Sequence, residues 1–221
     1  MALALRAVYP AGTSYSNAVA SVSVVANDLI IVAYSYNTTL QSITVTDTAS
    51  GGTNTYNQAG SGVQAVSGSN AAGHIFYAIA KATETVTITC TAESDGGAIV
   101  HVVSGANSTL GSVLDVVNTK ADSSSTNAPT SASITTTNAN DYLIVHWFQE
   151  QSSATLTENG TGFTKQKEFG GHYNSTFDQI VSSTNSYSDT VSASVSTFWN
   201  SLIASFKAAA GGDTFLGQVL T

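Results

Sequence analysis

Apolar and small polar residues alternate with a period of two over many short stretches of the chain. In four of these stretches, β-branched side chains fall on one face and hydroxyl side chains on the other: residues 21–25, 42–46, 85–89 and 190–195. Such alternation is typical of β-strands that bury one face and expose the other. The pattern therefore predicts half-exposed strands at these positions, and we expect a first strand at the N-terminus.

A second group of stretches is apolar on both faces: residues 29–34, 74–79, 98–103 and 142–148. These stretches predict central strands that are covered on both sides. Connectors rich in Gly, Ser and Asn separate the predicted strands, as at residues 50–54 and 159–162. Because no stretch shows a helical period, the sequence predicts an all-β fold, an antiparallel β-sandwich of jelly-roll-like or immunoglobulin-like type.

The chain also repeats itself. Residues 26–32, Ala-Asn-Asp-Leu-Ile-Ile-Val, return 113 residues later as Ala-Asn-Asp-Tyr-Leu-Ile-Val, with five of the seven positions identical. Three later pairs follow in the same order: 44–47 with 155–158, 85–89 with 190–194, and 98–104 with 201–207. We interpret this as a duplication that gives two similar halves. Asp28 and Asp141 are then expected to be turn formers, because Asn-Asp suits a tight turn, rather than catalytic carboxylates.

The repeat suggests a division of the chain. Residues 1–119 form the first repeat, 120–128 a linker, 129–209 the second repeat and 210–221 a strand-like tail. Two separate sandwiches and two halves of one sandwich both fit this division. We favour halves of one merged sandwich, because the central strands need cover on both faces. The tail carries four apolar residues that could pair with a sheet edge of this or another chain: Phe215, Leu216, Val219 and Leu220.

Composition and charge narrow the range of partners. Charged residues make up 9% of the 221 residues, against roughly 25% in ordinary soluble proteins. The formal net charge is −8, with only six Lys and Arg residues. Binding to nucleic acid or to an anionic membrane surface needs clustered cations, so we expect neither partner. No apolar run approaches the ~20 residues of a transmembrane helix.

Cysteine usage and the N-terminus bear on where the chain is made. The single cysteine, Cys90, lies in an alternating stretch and is expected to be a small buried residue rather than a reactive thiol. The first residues lack the basic-then-apolar order of a secretory signal. We therefore expect synthesis in a reducing cytoplasm.

No recognised catalytic motif occurs in the sequence. His74, His101 and His146 lie within apolar stretches and are expected to be hydrogen-bonded structural histidines. The acidic residues are spread singly, apart from Glu93 and Asp95, and are too sparse for a glycosidase pair or a calcium site. We expect no enzyme activity, no catalytic residues, no metal and no cofactor.

Aromatic residues offer a different kind of site, because flat rings can stack on sugars. Trp147 and Trp199 lie in apolar surroundings and are expected to belong to the core. Tyr56 and Tyr173 lie in loops, and His172 precedes Tyr173 in a Gly-rich segment. These three are the candidate binding residues, with a host surface glycan as a possible ligand.

Several of these segments resemble a class of β-sandwich proteins encoded in the structural regions of tailed phages and prophages. The resemblance lies in the repeated Asn-Asp-Leu-Ile-Ile-Val strand, in residues 45–56, in Ser104-Gly105 followed by Leu114-Asp115, and in the closing strand at 203–207. In that class a Gly-Asp-Leu strand opens each half, and a Thr-Asp-Ser-Ala-Gly-Asn-Thr-Tyr loop follows. Here Asn27 replaces the first glycine, and residues 46–56 form a longer version of the loop.

The resemblance implies association with a virion and brings no catalytic residues. We therefore expect a capsid decoration protein or a head or tail accessory protein that binds copies of itself or the major shell protein. A carbohydrate-binding or receptor-binding adhesin module that uses Tyr56 and Tyr173 is the alternative.

Overall fold

The computed structural model describes residues 2–10, 18–64, 71–91, 96–149, 155–169 and 174–210. Eighteen strands and one short helix, α1 (Leu110–Val113), lie in the described residues. The strands of the first half are β1 (Ala4–Pro10), β2 (Ala18–Val24), β3 (Leu29–Asn37), β4 (Thr44–Asp47), β5 (Asn57–Gln58), β6 (Val63–Gln64), β7 (Ala71–Ile79), β8 (Glu84–Thr91) and β9 (Gly96–Ser104). Those of the second half are β10 (Leu114–Ala121), β11 (Ile134–Thr135), β12 (Asp141–Phe148), β13 (Leu156–Glu158), β14 (Thr164–Phe169), β15 (Asn174–Val181), β16 (Ser186–Tyr187), β17 (Val191–Ala193) and β18 (Asn200–Lys207).

The strands form antiparallel sheets stacked in four layers, which confirms the predicted all-β sandwich class. Sheet I has the order β1-β9-β3-β7-β5, with β6 also paired to β7, and sheet II has the order β2-β8-β4. Sheet III has the order β10-β18-β12-β15-β14. The fourth layer, called the outer pair, consists of the two-stranded sheets β11-β16 and β13-β17.

Three apolar cores fill the spaces between these layers. The first lies between sheets II and I and contains Val32 and Ile88, and the second lies between sheets I and III and contains Ile31 and Ile144. The third, between sheet III and the outer pair, contains Val145. Neighbouring residues of β3 and β12 thus enter different cores, since successive side chains of a strand point to opposite faces. This is why both strands are apolar over most of their length.

The two halves share one topology, which is the arrangement expected of a duplicated chain. Sheets I and III have the same strand order when β1, β9, β3, β7 and β5 are matched with β10, β18, β12, β15 and β14. The register agrees as well: Leu29 faces Val103, and Tyr142, 113 positions after Leu29, faces Phe206. The sequence repeat is therefore a repeat of strand pairing.

The chain passes from the first half to the second between β9 and β10, through α1. The predicted boundary after residue 119 falls inside β10, and the predicted linker begins with the last two residues of that strand. Since β10 pairs with β18, all of it belongs to sheet III.

Sheets I and III are stacked in opposite order, because β1 lies near β14 and β10 lies near β6. The halves are thus related by an approximate two-fold rotation. Each half contributes two layers, and the second core joins them.

Candidate functional site

Tyr56, the predicted binding residue that the structure describes, is half-buried and packs against the first core. Its hydroxyl donates a 2.9 Å hydrogen bond to Oδ2 of Asp47. Burial, followed by the neighbouring Asp47 carboxylate, raises the pKa of the Tyr56 hydroxyl well above its ordinary value. The hydroxyl is therefore held by the fold, and only part of the ring faces solvent.

The other predicted binding residues, His172 and Tyr173, lie outside the described residues, as do Glu93 and Asp95 and the tail residues Phe215, Leu216, Val219 and Leu220. The strand ends that border residues 170–173 are Phe169 and Asn174. They belong to the end of the sheets at which Asn174 bonds the carbonyl oxygen of Gly97. Tyr56 lies toward the opposite end, where the following Asn57 pairs with Tyr77 near the close of β7.

The carboxylate of Asp47 organises the loop between β4 and β5. Its Oδ1 accepts the backbone N–H groups of Ala49 at 3.2 Å and Asn54 at 3.1 Å, and its Oδ2 accepts the Asn54 amide at 2.6 Å. Asn54 Oδ1 in turn accepts the N–H of Lys81 at 3.0 Å. Asp47, Asn54 and Tyr56, which we call the loop latch, tie the loop to the turn after β7. The Asn and Tyr of this loop are thus structural partners of its Asp.

A different acid organises the equivalent loop of the second half. Asp189 accepts the indole N–H of Trp147 at 2.9 Å and the hydroxyl of Thr161 at 2.7 Å. Trp147 and Trp199 are each 1% exposed and meet edge to face, so the prediction that both are core residues is confirmed. Asp189 lies just before β17, whereas Asp47 is the last residue of β4. The equivalent loops of the two halves are therefore held by acids from different strands.

A buried polar network joins sheets I and III through the second core. His101 Nδ1 lies 2.7 Å from the hydroxyl of Tyr142, and His101 Nε2 lies 2.8 Å from that of Thr176. Tyr142 donates its proton to Asp178 Oδ2 at 2.6 Å, so it accepts from the Nδ1–H of His101, and Nε2 accepts from Thr176. Asp178 Oδ1 also accepts the Gln166 amide at 2.6 Å.

The three described histidines are buried and held in the neutral form. Burial lowers the pKa of His101 and of His146 to about 3 and that of His74 to about 4. His74 lies 3.0 Å from the Tyr36 hydroxyl, and His146 packs on Phe148 with ring centroids 4.9 Å apart. For His74 and His101 the prediction of a hydrogen-bonded structural histidine is confirmed.

Asp28 and Asp141, the acids at matching positions of the repeat, have different hydrogen-bond partners. Asp28 Oδ2 accepts the N–H of Val25 at 2.9 Å, and the preceding Asn27 has the left-handed φ of 72°, so Asp28 is a turn former as predicted. Its Oδ1 accepts from Nε of Arg6 at 2.9 Å. Asp141 accepts the Asn138 amide at 3.1 Å, and its carboxyl group lies beside that of Asp115.

Asp115 is surrounded by donors. It accepts the N–H of Thr137 at 2.6 Å and also the hydroxyl of Thr137, and Nζ of Lys207 lies 3.3 Å from its Oδ1. Burial acts to raise the pKa of Asp115, but the donors on Thr137 and Lys207, together with the neighbouring Asp141 carboxyl, lower it overall. Burial, with the nearby Asp115 carboxylate, raises the pKa of Asp141 to about 6. The pKa values of these two neighbouring carboxyl groups are thus shifted in opposite directions.

Neither a metal site nor an accessible thiol is found in the described residues. Within them, no group of three or more His, Cys, Asp or Glu residues is placed to hold a metal ion. Cys90 is buried, and burial raises the pKa of its thiol to about 12, so it is the inert core residue that was predicted. No helix in the described ranges has the length and apolar character needed to cross a bilayer.

Comparison of the chain with protein-family models, with curated proteins and with solved structures gives no match.

Proposed function

We propose that this protein is a non-enzymatic structural component of a virion, a capsid decoration protein or a head or tail accessory protein. The observation that carries the proposal is the duplicated four-layer sandwich, in which buried polar groups bind one layer or loop to the next. Such a body presents a rigid surface for attachment to copies of itself or to the major shell protein.

The buried carboxyl groups support this proposal, because their hydrogen bonds are structural. Asp28 holds a turn, Asp47 and Asp189 hold equivalent loops, and Asp178 joins a network between two sheets. Carboxyl groups that served as a general acid and base would instead face a common cleft and leave room for a substrate. The side chains that could supply chemistry are thus used to hold shape.

The loop latch gives the resemblance to phage proteins a physical basis. The Asp, Asn and Tyr of the resembling loop are Asp47, Asn54 and Tyr56, and in this structure Asn54 and Tyr56 both donate to Asp47. A motif kept for such bonds marks a shared scaffold rather than a shared reaction.

Immunogold electron microscopy tests the proposal. Antibodies against the purified protein are applied to tailed particles released from cells that carry its coding sequence. We expect gold at repeated positions on the shell or the tail, and none on particles from cells in which the coding sequence is deleted. Unlabelled particles together with protein that stays in the unsedimented fraction contradict the proposal.

The predicted assembly tail is tested on the same particles. We expect the chain without residues 211–221 to keep the circular dichroism spectrum of the full chain but to attach more weakly. Attachment of the shortened chain at full strength removes the tail from the mechanism.

A second candidate, a carbohydrate-binding or receptor-binding module, has one observation in its favour. Strands of both halves end together near Gly96 and Asn174, so several connections of sheets I and III leave at one end. Glycan arrays separate the two candidates. Specific binding that Tyr173→Ala abolishes and Tyr56→Ala leaves intact favours recognition at that end, whereas absence of binding with saturable attachment to particles favours decoration.

A further inference from the structure

Arg6 and Asp115 occupy equivalent positions in the two halves. β1 pairs with β9, with a register shift between Leu5 and Ala7, and β10 pairs with β18, with a register shift between Leu114 and Val116. Arg6 and Asp115 are the residues inside these two shifts. A bulged residue is unpaired and its side chain is re-aimed. In both halves the side chain of the bulged residue reaches toward the acid of the repeated Asn-Asp turn.

In the first half this contact is an ion pair between opposite charges. Arg6 Nε lies 2.9 Å from Asp28 Oδ1, and the Asp28 side chain is 4% exposed. The guanidinium balances a carboxylate that would otherwise be buried without a counter-charge. The repeat thus places a cation beside its turn acid.

In the second half an acid stands where the cation would be. The Asp115 side chain is 1% exposed and Asp141 is fully buried. Two buried carboxyl groups beside a single lysine are costly to keep ionised together, so a proton on one of them is favoured. Asp115 already accepts both groups of Thr137. The proton therefore belongs to Asp141, whose buried Oδ2 has no hydrogen-bond partner within the described residues.

The groups around the pair are few. Lys207 of β18 faces Asp115, with Nζ 3.3 Å from its Oδ1. The Asn138 amide bonds Asp141, and β15 presents Val181 opposite it. Lys207 balances one negative charge, so the second charge has no counter-ion when both carboxyls ionise.

We propose that Asp115 and Asp141 form a proton-dependent clasp that holds β10, β12 and β18 together in mildly acidic solution and loosens them near neutral pH. The clasp is confined to the second half, because the first half has Arg6 in its place. This inference stands on the acid pair alone and does not depend on the proposed virion function.

The direction of the pH dependence of stability follows from the raised pKa of Asp141. The pKa of Asp141 is raised from 3.8 to about 6 in the folded chain, so its contribution to stability is complete below the unfolded value and is lost as pH rises through 6. Between pH 5.0 and 7.5 this linkage changes the unfolding equilibrium constant by roughly tenfold. Asp115 has a lowered pKa, so its own contribution is lost only in more acidic solution.

Other buried groups titrate in the same range and must be separated from the clasp. His74, His101 and His146 act with the opposite sign, and the raised acids Asp178 and Asp189 act with the same sign. All five are present in the wild type and in variants of the clasp. The ratio of unfolding constants at pH 7.5 and 5.0, compared between wild type and variant, therefore reports the clasp.

Urea unfolding of the full chain at both pH values supplies this ratio. We expect Asp141→Asn, and independently Asp115→Arg, which copies the pairing of the first half, to change the ratio about tenfold from that of the wild type. The matched control is Asp28→Asn in the first half, which should weaken the protein at both pH values and leave the ratio nearly unchanged. A ratio unaltered in Asp115→Arg overturns the proposal.

Two further measurements complete the test. Carbon-13 NMR of the aspartate carboxyls should show one group that titrates near 6 in the wild type and is missing in Asp141→Asn. Millimolar calcium at pH 7.5 should stabilise wild type and Asp115→Arg equally. If calcium stabilises only the wild type, the pair is a cation site and the proton clasp is wrong.

Discussion

Trp147 donates its indole N–H to Asp189 across 2.9 Å, at the base of the third core. The same carboxylate accepts the hydroxyl of Thr161 from the loop after β13. One buried acid therefore connects the core of the second half to its surface loop.

Replacement of Trp147 by Phe should destabilise the protein beyond the loss of ring volume. The indole N–H is removed while Asp189 stays buried, at 1% exposure, with one partner fewer. We expect an added cost of about 1–3 kcal/mol, since a buried acceptor loses a bond. The matched control is Trp199→Phe, because Trp199 Nε1 has no hydrogen-bond partner within the described residues. Equal losses of unfolding free energy in the two variants would contradict the argument.

The loop latch should depend on Asp47 more than on Tyr56. Asp47→Ala leaves the Asn54 side chain and backbone N–H and the Tyr56 hydroxyl without their acceptor. We expect it to cost about 1–3 kcal/mol or more in urea unfolding, against about 1 kcal/mol for Tyr56→Phe, which deletes one bond. Hydrogen exchange should show faster opening at Lys81 N–H in Asp47→Ala. An unchanged exchange rate there would mean that the loop is held by other contacts.

Acid should destabilise the fold through its buried histidines. Burial lowers the pKa of His101 to about 3, while an unfolded histidine titrates near 6.5. Its contribution to stability is present above 6.5 and is lost as pH falls toward 3. Between pH 7.5 and 5 we expect a loss of about 2 kcal/mol for each such histidine. Urea unfolding of His101→Asn over this range should show a shallower pH dependence than the wild type, and an identical slope would exclude His101 as a source.

The contact between sheets I and III should not tolerate a larger residue at Gly73. A Cβ at this position would lie 2.6 Å from Cε1 of Phe148, which is fully buried. We expect Gly73→Ala to cost about 1–3 kcal/mol through overpacking. Gly51→Ala is the control, because a Cβ there meets nothing within 4 Å. Recovery of stability in the double variant Gly73→Ala, Phe148→Leu would locate the clash at this contact.

Much of the fold follows from alternation and repetition in the sequence. The four stretches that are apolar on both faces lie in β3, β7, β9 and β12, the inner strands of sheets I and III. β18 was found through its likeness to β9. These strands are recognisable because each face of each strand enters an apolar core.

β15 shows why other strands escape this kind of prediction. Its residues Thr176 and Asp178 are buried, yet they are polar because they bond His101 and Tyr142. The strand therefore has no apolar face that a pattern would reveal. Likewise β10 is an edge strand of half-buried residues, which is why the predicted boundary cut through it.

The candidate site was harder to predict from the sequence than these strands. The spacing of Asp47, Asn54 and Tyr56 was visible in the sequence, but their mutual bonds depend on how the loop turns back. The contact of Asp115 with Asp141 joins separate strands, and no periodicity relates them.

The approximate two-fold relation between the halves has an evolutionary consequence. In a dimer of identical chains, a change from Arg to Asp would alter both symmetry-related positions at once. Here the two copies are covalently joined, so one position can carry Arg6 while its counterpart carries Asp115. Covalent linkage of two similar halves thus allows one scaffold to hold an ion pair on one side and an acid pair on the other.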